Sequence, residues 1–68
     1  MIGTITQLER TRGSGVITGE DGKHYFFRRS AVHDVWFHEL REGETVTFEA
    51  AKDQSGLHAK LVRVGQRA

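Results

Sequence analysis

Apolar and polar residues alternate with a period of two along much of this chain, most clearly in Thr45-Val46-Thr47-Phe48-Glu49-Ala50, where Val46, Phe48 and Ala50 fall on one face. A period of two marks a half-buried strand, whereas a surface helix would repeat every 3.6 residues. Four further β-rich runs stand out: Ile2 to Leu8, Ser14 to Thr18, His24 to Arg28 and Leu57 to Val64. Turn chemistry separates them, at Arg12-Gly13, Glu20-Asp21-Gly22, Glu42-Gly43 and Gln54-Ser55-Gly56. Asp21-Gly22 is a strong hairpin signal, because glycine supplies the positive φ that a tight turn between twisted strands requires. The second and third strands are therefore expected to be neighbours. Ser30 is a favourable N-cap residue, so Ser30-Ala31-Val32 is expected to make one helical turn before a longer connection through Trp36 and Phe37 to Leu40. Five short strands without a substantial helix predict a small barrel, since closure removes the sheet edges that invite aggregation.

Alternation also sorts the second and third strands into faces. Ile17, Tyr25 and Phe27 point one way; Ser14, Val16, Thr18, His24, Phe26 and Arg28 point the other. If the first set fills the barrel, Phe26 is an outward aromatic beside Arg28 and across from Gly13-Ser14-Gly15-Val16. Such a ring on a flat sheet can stack a nucleobase while neighbouring guanidiniums take the backbone. It can equally pack under a loop, because isolated surface aromatics are ordinary.

A chain of 68 residues has material for one core, and is expected to form one domain over 1–68 with residues 65–68 fraying. The absence of cysteine rules out disulfides and thiolate zinc. The stretch Met1 to Thr6 has no basic segment followed by an apolar run, and nothing approaches the roughly 18 apolar residues of a membrane span. The reading is a cytoplasmic protein with no membrane partner. Net charge is only +1, but residues 1–33 carry five Lys/Arg against three Asp/Glu, and residues 34–53 two against six. Seven of the ten basic residues are Arg, whose planar group stacks on bases as well as pairing with phosphate.

Little in the chain supports catalysis. His24, His33, His38 and His58 form no close His-x-His or His-x-x-x-His pair, so no metal site is expected. Ser30 has no identifiable activating base. Gly13-Ser14-Gly15 lacks the downstream Gly-Lys-Ser/Thr of a phosphate-binding P-loop. Neither a cofactor nor a small-molecule substrate is expected.

Taken in order, Gly3-Thr4-Ile5, Arg12-Gly13-Ser14-Gly15-Val16-Ile17, Asp21-Gly22 and Phe26-Phe27-Arg28-Arg29-Ser30-Ala31-Val32 resemble the cold-shock domain. The likeness continues through Phe37-His38-Glu39-Leu40-Arg41-Glu42-Gly43-Glu44-Thr45-Val46-Thr47-Phe48-Glu49 and Gly56-Leu57-His58-Ala59, which is nearly the whole chain. It implies an all-β fold, a five-stranded antiparallel OB-fold β-barrel of the cold-shock type. It also implies single-stranded nucleic-acid binding through two aromatic strands, written Lys-Gly-Phe-Gly-Phe and Val-Phe-Val-His in the family. Here Ser14 and Val16 stand where the family has two stacking rings, and Arg28 replaces the histidine. Arg29 occupies a position that is often aromatic, Gln7 and Leu8 replace a Trp-Phe pair, and Glu9 replaces an Asn. Phe26 and Phe37 are kept, and Trp36 sits where a glycine is usual.

The residues expected to touch nucleic acid are therefore Arg10, Arg12, Ser14, Val16, Phe26, Arg28, Arg29, Trp36, Phe37 and His38. Stacking is worth roughly 1–3 kcal/mol per base, so the missing rings predict weaker binding that leans on arginines and depends steeply on salt. The expected function is non-enzymatic capture of single-stranded RNA or DNA, in the manner of an RNA chaperone, by a monomer or weak homodimer. Trp36 serves equally well as a stacking post on one side, or as a core cap or protein contact on the other. The rival reading is a barrel that has lost its ligand and offers Leu8, Val16, Phe26 and Trp36 as an apolar patch to a protein.

Overall fold

The computed structural model describes residues 1–64; the expectation of fraying at 65–68 lies outside the described residues. Strands β1 (Ile2–Glu9), β2 (Ser14–Gly19), β3 (His24–Arg28), β4 (Thr45–Asp53) and β5 (Gly56–Val64) form a closed barrel in the order β1-β2-β3-β5-β4. All neighbours run antiparallel except β3 and β5, which close the barrel in parallel at Phe26↔His58. An isolated parallel bridge, Val32↔Val62, extends that seam. The structure thus realises the expected five strands, all-β class and barrel closure.

Inside lie Ile5, Ile17, Tyr25, Phe27, Leu40, Val46, Phe48, Ala59 and Val62. Each large apolar member contributes about 1.5–3 kcal/mol by leaving water. Tyr25 packs on Phe48 with centroids 5.0 Å apart, and its hydroxyl donates to Asp21 Oδ2 at 2.6 Å across the β2–β3 turn. That turn also uses Asp21 Oδ1 to accept from the Lys23 amide and a positive φ at Gly22, as the Asp-Gly pair predicts.

Two register shifts set what faces outward. In β1 the pairing steps from Ile5↔Ile17 to Gln7↔Val16, leaving Thr6 as an extra residue. Gln7 is thereby exposed, and Leu8 turns back to pack against the core. In β5 the shift lies opposite Thr47/Glu49 and includes Leu61, whose φ is 51°. Alternation alone would bury Leu61 with Ala59; the left-handed kink instead exposes Leu61 and buries Val62.

Two local expectations need correction. Ser30 does not cap a turn: the 3-10 turn is Arg29–Ala31, it follows β3 directly, and the flanking cap position belongs to Arg28 with no side-chain cap bond. Ala50 is exposed, because β4 pairs with β1 only over Thr45–Thr47 and beyond that has β5 alone beside it. A second 3-10 turn, Phe37–Glu39, interrupts the long connection and delivers Leu40 to the core.

Candidate nucleic-acid interface

Strand pairing arranges the outer surface as rows. The central row reads Gln7, Val16, Phe26, His58 across β1, β2, β3 and β5. On one side lie Thr18 and His24, joined by a hydrogen bond of 3.1 Å between Thr18 Oγ1 and His24 Nδ1 and continued at 3.2 Å between the Thr18 and Thr6 hydroxyls. On the other lie Glu9, Ser14 and Arg28. Phe26 is the exposed ring of this sheet, at 41%. At that exposure it is not covered by a loop.

Ser14 is only 8% exposed although it points outward. It floors a depression of about 250 Å³ whose other walls are Arg12, Phe26 and Arg28. The ion pairs among the described residues are Arg63–Asp34 and His58–Asp53, so Arg12 and Arg28 have no carboxylate partner there.

His58, which the sequence suggests only as a metal-ligand candidate, stands beside Phe26 on this face. Its ring meets Phe26 edge-on with centroids 6.2 Å apart, and Nε2 lies 3.1 Å from Asp53 Oδ1 and 3.3 Å from Ser55 Oγ. Hydrogen bonds from the Ser55 hydroxyl and amide, aided by His58, hold the Asp53 carboxyl below the usual carboxylate range. Asp53 is thus an anion that orients His58. Alternation with the buried Ala59 signals that His58 faces out; its proximity to Phe26 depends on the parallel seam, which no local signal reveals.

A second group of expected residues gathers around a groove of about 390 Å³ between the two 3-10 turns. Arg10, Arg29, Trp36, Phe37 and His38 all line it. Trp36 is 69% exposed and stacks on His38 with planes 18° apart. Phe37 is half-buried, tilted against the core ring of Phe27 at 6.1 Å. Arg10 donates to the carbonyls of His38 and Leu40 at 3.0 and 2.7 Å, so its guanidinium secures the Phe37–Glu39 turn. Arg29 crosses above Gly13, where a Cβ would come within 3.1 Å of its Nε. Gly13 also holds φ at 67°, a conformation that favours glycine, whereas the Arg29 side chain could yield to a Cβ.

The ten expected residues thus fall into two adjoining sets. Ser14, Val16, Phe26 and Arg28 lie on the sheet with Arg12 beside them in the β1–β2 turn, and Arg10, Arg29, Trp36, Phe37 and His38 at the groove. The sets join where the Arg29 amide donates to the Gly13 carbonyl at 2.8 Å. Among the described residues no three His, Asp or Glu side chains converge as a metal site, and no helix is long and apolar enough to cross a membrane.

Comparison with known proteins agrees with this geometry. Residues 1–64 match the model of the 'Cold-shock' DNA-binding domain. Cold shock protein 1 of Lactiplantibacillus plantarum is 39% identical over 60 residues, covering 88% of this chain and 91% of that protein. Cold shock protein CapB of Pseudomonas syringae pv. tomato is 34% identical over 62 residues, covering 91% and 90%. The cold shock-like protein of Thermotoga maritima is 33% identical over 64 residues, covering 94% and 97%. With a family match over every described residue and a barrel of the matching form, the chain belongs to the cold-shock domain family.

Proposed function

We propose that this chain binds single-stranded RNA or DNA on the outer face of β2 and β3, without covalent chemistry, and holds strands open as an RNA chaperone does. Cold-shock domains are non-enzymatic nucleic-acid binders. The observation that carries the reading here is Phe26, an exposed ring between Val16 and His58 with unpaired guanidiniums beside it. A base stacks on the ring while arginines take phosphates. Trp36 and His38 continue the track past Arg29. Binding lowers the free energy of the open strand and so shifts an RNA's folded–open equilibrium. The working form is one domain, monomeric or weakly dimeric, in the cytoplasm.

The rival apolar patch is smaller than the sequence suggests, because Leu8 packs against the core.

Titration of an eight-nucleotide strand, followed by fluorescence anisotropy and residue-resolved amide shifts, tests the proposal. If Arg12, Arg29 and two further cations engage phosphates, log affinity falls with log salt at a slope of about −2.8, or about 50-fold between 50 and 200 mM. Shifts should concentrate on Arg12, Ser14, Val16, Phe26, Arg28, Arg29 and Phe37. Flat spectra at millimolar oligonucleotide would overturn the proposal.

A further inference from the structure

We propose that the depression floored by Ser14 seats a guanine base, giving this chain a preference for guanine at one position of the bound strand. The inference rests on the nucleic-acid reading above and deepens it. The depression is open on its outer side and has a volume of about 250 Å³, room for one heterocycle. One wall is the half-exposed Phe26 ring, which favours a flat π-system over a hydrated phosphate. Arg12 and Arg28 present only donors, five N–H groups each and no acceptor, and neither has a carboxylate partner among the described residues. Ser14, 8% exposed, is the most buried residue of the lining.

A cavity with donor walls selects a base edge with adjacent acceptors. Guanine offers O6 and N7 side by side, the spacing that a guanidinium fork spans. Adenine sets an N6 donor beside N7, and thymine or uracil offers O4 beside a methyl or a C–H, so a fork meets half a partner there; cytosine, unpaired, also sets O2 beside N3, but its single ring covers less of Phe26 than a purine does, and the dC strand tests that competitor. Ser14 and Arg28 are also cross-strand partners, so the fork rises directly beside the floor. Loss of the ring at Ser14 therefore exchanges a stacking post for a seat that reads an edge.

The experiment compares seven-nucleotide strands of thymidine with a central dG, dC, dA or 7-deaza-dG, a design that avoids G-rich assemblies. The central guanine should bind about five- to tenfold tighter than all-thymidine, the low end of bidentate discrimination at an exposed site. The 7-deaza strand, which lacks only the N7 acceptor, should lose that gain. Arg28→Ala should level the four strands while residual binding remains. Ser14→Phe, which fills the seat with a ring, should abolish the preference without abolishing binding; an amide spectrum establishes that each variant is folded. Equal affinity for dG and dT strands, retention of the gain by 7-deaza-dG, or an equal gain from dC overturns the guanine seat and leaves the nucleic-acid reading standing. Failure of every strand to bind overturns both.

Discussion

Phe26 stands edge-on to His58 across the parallel seam between β3 and β5, with ring planes at 87°. The histidine supports the phenyl ring from the side, so the ring's face stays open to a base. Phe26→Leu keeps an apolar side chain but removes the π-face. It should weaken single-strand binding about tenfold, within the roughly 1–3 kcal/mol of one stacked base. Because the ring is 41% exposed, the melting temperature should hardly move. Anisotropy titration and a thermal melt on the same sample separate the two effects.

Arg10 and Arg12 are two residues apart and should behave differently. Arg10 is spent on the His38 and Leu40 carbonyls, so Arg10→Ala should cost about 1 kcal/mol of stability, a drop of about 4–8 °C in a domain of this size. Arg12→Ala should leave the melt unchanged and reduce the salt slope of binding by about 0.7, one phosphate contact on a single strand. Thermal denaturation and salt-dependent titration of both variants test the contrast; equal behaviour would refute it.

The contrast also shows where sequence reading reaches its limit. Strand existence, the Asp21-Gly22 hairpin and the inward set Ile17, Tyr25, Phe27 follow from period and turn chemistry, which act over a few residues. The use of Arg10 does not, since its acceptors lie 28 and 30 residues away and carry no side-chain signal. Thr6 and Leu61 interrupt alternation through backbone kinks at residues with no special turn propensity. Ser30 is a good capping residue, but the chain enters its turn one residue earlier, directly from β3, and leaves it no cap to make. His58 was legible as outward-facing but not as a neighbour of Phe26, which only the long-range seam creates.

The Tyr25–Asp21 hydrogen bond gives two pH signatures. The tyrosine hydroxyl, followed by the Lys23 amide, holds the Asp21 carboxyl below its ordinary value; reciprocally, the bond to Asp21 raises the Tyr25 phenol. A depressed carboxylate contributes stability above its unfolded value and loses it as pH falls through the folded one. A raised phenol contributes below its unfolded value and loses it as pH rises through the folded one. Tyr25→Phe should therefore move the Asp21 carboxyl titration upward, seen by carbon NMR, and flatten the stability profile at both its acid and alkaline edges.

Gly15 is a packing requirement. A Cβ there would come within 2.7 Å of the Gln7 carbonyl and 2.8 Å of the buried Phe27 ring. Gly15→Ala should destabilise by about 1–3 kcal/mol through overpacking. Gly22→Ala meets open space and suffers only from its positive φ, for about 1 kcal/mol. Chemical denaturation of the two variants should rank them in that order.

The seam itself carries one further consequence. β3 and β5 are paired at a single position, Phe26↔His58, far fewer than the pairs that join β1 to β2 or β4 to β5. Local opening of the cylinder is easiest along that line, where the least hydrogen bonding must be given up. On the proposed binding mode, a strand lying across Phe26 and His58 would act as an external staple over this gap. By mass action its occupancy adds RT ln(1 + [L]/Kd) to the resistance against opening. Ligand affinity and the protection of seam amides from exchange are then two readings of one equilibrium.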